Sequence, residues 1–333
     1  MSSPSSVPAL DVERAPGGPP SLAADATGDA PRWAAEHREA VRAAVAEHGA
    51  LLIRGLGLAD VAEVQAVVAA LGTPMTEREA FASRRAYAEG VYSSATWPAN
   101  QPMCMHHELS YRLEFPGLML FACLTPATDG GATGLADGAA VLDALPPDLV
   151  ERFEREGWVL VRNYTEEIGA SVSAAFGTDD PSAVERYCRA NAIAFEWQAD
   201  GGLRTWQRRS AVVRHPVSGR RCWFNQIAFL SEWTMDAEVR EFLVDMYGED
   251  GLPFTTRFGD GEPVGEDVVD LLNDVYAAHT VREPWRAGDL LLADNVRTAH
   301  SREPFQGERD VVVAMADAVR LADCAPTVDP AAS

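Results

Sequence analysis

His106 and Glu108 stand two residues apart, and His300 and Arg309 follow far downstream. If these four act together, the chain must adopt a fold that carries distant segments to one point. In a β-strand, residues i and i+2 point to the same face. The run Met105-His-His-Glu-Leu-Ser-Tyr111 can therefore turn His106 and Glu108 toward one ion while His107 points away. Two imidazoles and one carboxylate occupy one face of an octahedral non-haem iron and leave the opposite positions open. An arginine one strand beyond the last histidine suits bidentate binding of a carboxylate cosubstrate. A lone His-x-Glu arises readily by chance. His300 after Asn295, and Arg309 at the head of an apolar strand, give the pair its weight. The set predicts an oxygenase that uses ferrous iron and 2-oxoglutarate.

The surrounding pattern predicts how the residues meet. Residues 117–123 form an apolar run that reads as a buried strand, and residues 288–295 read as a turn and a short apolar strand. Residues 309–315 read as another strand, so His300 and Arg309 are expected on two neighbouring antiparallel strands of a barrel. Helical composition or periodicity covers residues 32–47, 59–71, 139–156 (broken at Pro146-Pro147), 180–191, 236–247 and 265–279. Residues 49–55 and 158–163 read as strands. Residues 73–105 are irregular and polar, a candidate lid ending at the metal motif. The expected fold is α+β: a double-stranded β-helix (jelly-roll) core with surrounding helices. A helical insertion separates the first ligand pair from His300.

At 333 residues the chain can bury roughly three quarters of its unfolded surface. One domain over residues 31–324 is expected, since barrels run this long. Residues 1–30, rich in Pro, Gly, Ser, Ala and Asp, are expected to be disordered, and 325–333 to be a loose tail. All 28 basic residues are arginine. The lack of lysine excludes a pyridoxal-phosphate Schiff base, a lysine aldolase and a Walker A loop. The net charge of -22 repels nucleic acid and anionic membranes. The sign reverses locally at Arg204, Arg208, Arg209, Arg214, Arg220 and Arg221, where Arg204 and Arg208 are candidates for holding a substrate anion. Five scattered cysteines without a Cys-x-x-Cys suit a reduced, cytoplasmic protein. No run approaches the roughly 18 apolar residues of a membrane span. No signal peptide is evident.

Several segments together resemble one family: Met105–Tyr111, Phe121-Ala-Cys-Leu-Thr-Pro126, Gly130-Gly-Ala-Thr-Gly-Leu-Ala-Asp137, Leu203-Arg-Thr-Trp-Gln-Arg208, His215-Pro-Val-Ser-Gly219, Trp223-Phe-Asn-Gln226, and Trp285 through His300 to Met315. The chain resembles the taurine dioxygenase-like (TauD/TfdA), clavaminate synthase-like branch of the iron(II)/2-oxoglutarate oxygenases over roughly residues 45 to 320. Within it, the chain is most similar to the syringomycin-type amino-acid hydroxylases. The resemblance implies that His106, Glu108 and His300 hold iron, and that Thr133 and Arg309 hold the distal carboxylate of 2-oxoglutarate. It implies a small-molecule substrate, an amino acid or amino-acid-like acid of secondary metabolism, free or tethered to a carrier protein. Tyr111 and Asn225, in matching segments, join Arg204 and Arg208 as candidate substrate contacts. Hydroxylation with dioxygen is the implied reaction, with succinate and CO2 released. Desaturation or cyclisation is the alternative within the class, and a non-catalytic metal-binding jelly roll the alternative outside it. Two positions depart from the family pattern. Asp310 stands where a second basic residue is common, and Phe229-Leu-Ser-Glu-Trp233 lacks a histidine often found there.

Overall fold

The computed structural model describes residues 10–26, 28–77, 79, 81, 84–199 and 201–331. A seven-stranded sheet runs in the order Ser21–Ala23, Ala50–Arg54, Leu290–Asp294, Glu114–Thr125, Asp310–Arg320, Val91–Tyr92, Ala86–Ala88. A three-stranded sheet holds Thr298–Arg302 between Met103–His106 and Thr133–Asp137. Strand alternation divides the large sheet's side chains between two cores. Leu118, Leu120, Ala122, Leu290, Leu292, Val312 and Ala314 pack under the helices Ala30–His48 and Val61–Leu71. The alternate residues Met119, Phe121, Leu291, Ala293, Val311, Val313 and Met315 pack with Met103, Met105, Leu135 and Ala299 of the small sheet. Each such buried aliphatic side chain contributes about 1.5–3 kcal/mol relative to exposure. Two facing sheets with helices outside are the jelly-roll α+β architecture expected.

Local chemistry sets the element ends. Asp29 caps the helix Ala30–His48 by accepting the amide of Arg32, and Gly49 closes it at φ 85°. A Cβ on Gly49 would lie 2.8 Å from Thr298 Oγ1. That hydroxyl donates to the Gly49 carbonyl at 2.9 Å, tying the helix end to the strand that carries His300.

Four expectations need correction. Residues 10–26 and 28–30 are not disordered. Ser21–Ala23 adds a parallel edge to Ala50–Arg54, Leu22 is buried, and residues 1–9 lie outside the described residues. The tail is packed at Val328, which is buried and whose amide donates to Ser210 Oγ at 3.1 Å. His300 and Arg309 are not on neighbouring antiparallel strands. His300 belongs to the small sheet, and Arg309 opens the strand Asp310–Arg320 of the large one. Between them Pro304 and Gly307 flank a two-residue strand, Phe305–Gln306, that pairs with Asp129–Gly130 while the chain crosses over. Finally, the insertion is not only helical. It contains a four-stranded antiparallel sheet, Ala194–Trp197, Leu203–Arg209, Trp158–Tyr164 and Phe254–Phe258.

The segment 73–105 is tied down. Glu79, buried and at φ 55°, receives Tyr111 Oη on its carbonyl, and Gln207 Nε2 and Tyr187 Oη on its carboxylate. Arg302 donates to the carbonyls of Pro98 (2.6 Å) and Gln101 (2.9 Å). Among the described residues, no helix is long and apolar enough to cross a membrane.

Candidate active site

His300 faces His106 in register across the antiparallel pair of Met103–His106 and Thr298–Arg302, with ring centroids 4.3 Å apart. Glu108 lies just past the first strand, and its Oε2 is 3.9 Å from His106 Nε2 and 3.6 Å from His300 Nε2. One ligand atom from each of the three lies within 4.8 Å of the others, and all three residues are buried. His106 Nδ1 donates to the Cys104 carbonyl at 2.8 Å, leaving Nε2 with its lone pair toward the cluster. Burial pushes His106 down to about 3, with His300 adding to the effect, so its imidazole is neutral, the form that binds metal. Burial opposes ionisation of Glu108. Arg84 leads the groups that outweigh it and hold the carboxyl well below the usual carboxylate range. Two buried imidazoles and one ionised carboxylate fit ferrous iron.

His107 turns the other way. Its Nδ1 donates to the Asn295 carbonyl at 2.6 Å, and burial pushes it down to about 4. Asn295, fully buried, is the brace of the site. Its Oδ1 accepts the Glu108 amide at 2.8 Å, and its Nδ2 donates to the carbonyls of Glu108 (2.9 Å) and Pro116 (2.8 Å). These bonds fix a bend in which Leu109 takes φ 54°, a conformation that costs a side chain about 1–3 kcal/mol unless its surroundings enforce it. Asn295→Ala should therefore lower iron affinity about 10–100-fold, as loss of a partner behind a metal ligand does. It should also cost about 1–3 kcal/mol for each buried group left unpaired. Iron titration beside thermal unfolding measures both, and unchanged iron affinity would remove Asn295 from the site.

Phe229 stacks on His106 at 4.4 Å and 16°, closing the wall that the missing histidine of Phe229–Trp233 leaves apolar. Its only sequence signal was proximity to Trp223–Gln226. Thr133 and Arg309 line the same cavity as the triad, together with Ser94, Arg84 and Arg302. Arg309 Nε donates to the Gly131 carbonyl at 3.0 Å and Nη1 to Ser94 Oγ at 3.3 Å. Gly131 takes φ 72°, which strains any other residue, and a Cβ there would crowd Arg309 Nε at 3.1 Å. This is the physical content of the Gly-Gly-Ala-Thr run. Burial first and Arg302 second push Arg309 down to about 10, still charged at neutral pH.

The nominated substrate contacts do not reach this cavity. On Leu203–Arg209 the residues 203, 205, 207 and 209 face inward, which leaves 204 and 208 on the outer face. Arg204 pairs with Asp250 at 2.7 Å and Arg208 donates to the Glu156 carbonyl at 2.6 Å. Tyr111 is committed to the Glu79 carbonyl at 2.6 Å. Asn225 donates to the Ala211 carbonyl and accepts the Ile227 amide, shaping the turn that carries Phe229. In this structure all four are engaged within the protein, away from the cavity.

The family model for taurine catabolism dioxygenase TauD, TfdA family, matches residues 13–315. The dapdiamide synthesis protein DdaC of Enterobacter agglomerans is 36% identical over 276 residues, covering 83% of this chain and 84% of that protein. A clavaminate synthase-like protein of Arabidopsis thaliana is 28% identical over 281 residues, covering 81% of this chain and 82% of its own. A taurine dioxygenase of Burkholderia xenovorans superposes with a TM-score of 0.56 at 18% identity, over 97% of each chain. The chain belongs to the TauD/TfdA family and is an oxidoreductase, an iron(II)- and 2-oxoglutarate-dependent dioxygenase.

Proposed function

We propose that the enzyme hydroxylates an unactivated carbon of a free amino acid or amino-acid-like acid in secondary metabolism. The observation that carries the reading is the ionised, buried Glu108 beside the buried His106 and His300. Halogenases of related type lack this carboxylate so that chloride can take its place; here the position is filled. The likeness to DdaC, named for dapdiamide synthesis, supports an amino-acid-derived product. In this reading His106, Glu108 and His300 hold iron, and Arg309 and Thr133 hold the far carboxylate of 2-oxoglutarate. Iron, when bound, supplies the activation of dioxygen, with 2-oxoglutarate leaving as succinate and CO2. Phe121 and Val313 form apolar wall of the cavity, Phe229 backs His106, and the register of the two small-sheet strands holds the histidines in place. The net charge of -22 opposes an acidic carrier protein, which favours a free substrate over a tethered one. Five unpaired cysteines suit a reducing cytoplasm.

Mass spectrometry of amino acids, free and carrier-bound, incubated with enzyme, iron, ascorbate and 2-oxoglutarate tests the reading. The expected product gains one oxygen atom, with succinate formed in step, and stays free of chlorine under excess chloride. A product lacking two hydrogens would reassign the enzyme to desaturation or cyclisation. A chlorinated product would overturn the role given to Glu108.

A further inference from the structure

Arg84 is the least explained group in the cavity. Its side chain is 8% exposed, and Nη2 donates to Glu108 Oε2 at 2.9 Å. That oxygen is also the one nearest both histidines, the atom a metal ion on the triad would take. Arg84 Nε and Nη1 are buried without any hydrogen-bond partner among the described residues. Glu77 stands 3.8 Å from Nε, near enough to offset charge but not to receive a hydrogen bond.

The charges of the cavity point the same way. Among the described residues its wall carries three arginines, Arg84, Arg302 and Arg309, and one carboxylate, Glu108. Arg302 donates to the backbone carbonyls of Trp97, Pro98 and Gln101, which leaves its charge unneutralised. A dication on the triad draws on the Glu108 oxygen that Arg84 now uses. In the reading above, one 2-oxoglutarate carboxylate would offset the dication and the other Arg309, which leaves Arg84 and Arg302 without an added anion. A buried guanidinium with open donors and reduced access to its one partner is costly unless another anion arrives. The planar fork of arginine matches a carboxylate in two hydrogen bonds.

We propose that Arg84 is the binding site for a carboxylate of the substrate, fully engaged once metal occupies Glu108. This rests on the reading of the enzyme as acting on an amino-acid-like acid. Arg84 lies just before the edge strand Ala86–Ala88, so the stretch that Glu79 pins in place would also select the substrate by its charge.

The test uses the visible chelate band formed anaerobically by enzyme, ferrous iron and 2-oxoglutarate. Propionate, its neutral counterpart propionamide, and the common L-amino acids serve as probes that perturb the band on entering the cavity. Arg84→Gln should keep the band and its dependence on 2-oxoglutarate. It should weaken perturbation by carboxylate probes by about tenfold or more, the size of losing one charge-assisted pair. Propionamide should perturb neither form. Arg84→Lys, which keeps the charge and loses the fork, should keep the band and bind the probes with intermediate strength. Carboxylate probes that act alike on wild type and both variants, including no action on any, would overturn the proposal. So would loss of the band in both variants, which would place Arg84 in the metal site. Arg84-dependent binding of propionate with no amino acid turned over would sustain Arg84 and overturn the amino-acid reading instead.

Discussion

His106→Ala should abolish iron-dependent turnover, while His107→Ala should retain most of the iron affinity. The adjacent histidines are chemically alike, and only geometry separates them. His106 Nδ1 is engaged by the Cys104 carbonyl, and Nε2 is turned to Glu108. His107 is packed the other way, against Phe224 and the Asn295 carbonyl. Removing His106 deletes one of three ligands, a larger loss than the roughly 10–100-fold that follows loss of a group behind a ligand. Removing His107 leaves the Asn295 carbonyl without its donor, at about 1–3 kcal/mol, and opens a cavity beside Phe224. Its signature is therefore a lowered unfolding temperature with iron still bound. Metal content after dialysis, measured beside thermal unfolding for both variants, separates the two. Equal loss of iron in both would mean that the strand register assigned here is wrong.

The parts of this site that the sequence made legible are those whose geometry is local. The i, i+2 rule alone distinguishes His106 from His107, and the structure places them on opposite sides although the strand ends at His106. Arg309 was legible from its place one strand beyond His300, whereas Thr133, in the small sheet, needed the family resemblance. Arg84 carried no local signal, and Phe229 only its place just after Trp223–Gln226. They reach the cavity from a polar loop and a buried turn, and only the fold brings them to the triad. The arginine cluster misled for a related reason. Charge suggested that Arg204 and Arg208 face a ligand. In fact the strand Leu203–Arg209 buries the polar residues Thr205, Gln207 and Arg209. Arg209 donates to the carbonyls of Tyr111, Asn191, Ala192 and Arg208, a structural use of the charge that no pattern of hydropathy reveals. The same inward polar residues hid the four-stranded sheet. Ser21–Ala23 was hidden differently, as a three-residue edge strand within a stretch whose composition reads as disorder.

Arg309→Ala should raise the apparent KM for 2-oxoglutarate steeply while iron binds as before. Arg309 is a mostly buried guanidinium pushed down to about 10 by burial and by Arg302, so it is charged yet poorly solvated. Truncating one partner of such a buried charge pair costs about 2–5 kcal/mol, a change of roughly 30-fold to several thousand-fold in the cosubstrate constant. The fold should suffer less than this figure suggests, because Arg309 is repelled by Arg302 and its own bonds are to a backbone carbonyl and a serine hydroxyl. Arg309→Lys should fall between, since a lysine keeps the charge and loses the fork. Iron titration without 2-oxoglutarate, followed by 2-oxoglutarate titration of the iron-loaded variants, separates the two effects. Arg302 is the rival for the role, as the other cavity arginine away from Glu108. Its guanidinium is already committed to the carbonyls of Trp97, Pro98 and Gln101, and withdrawing it would release the segment 97–101. Arg309, with fewer and weaker partners, is free to take a carboxylate without that cost. Unchanged 2-oxoglutarate kinetics in Arg309→Ala would reverse this argument and assign the cosubstrate carboxylate to Arg302.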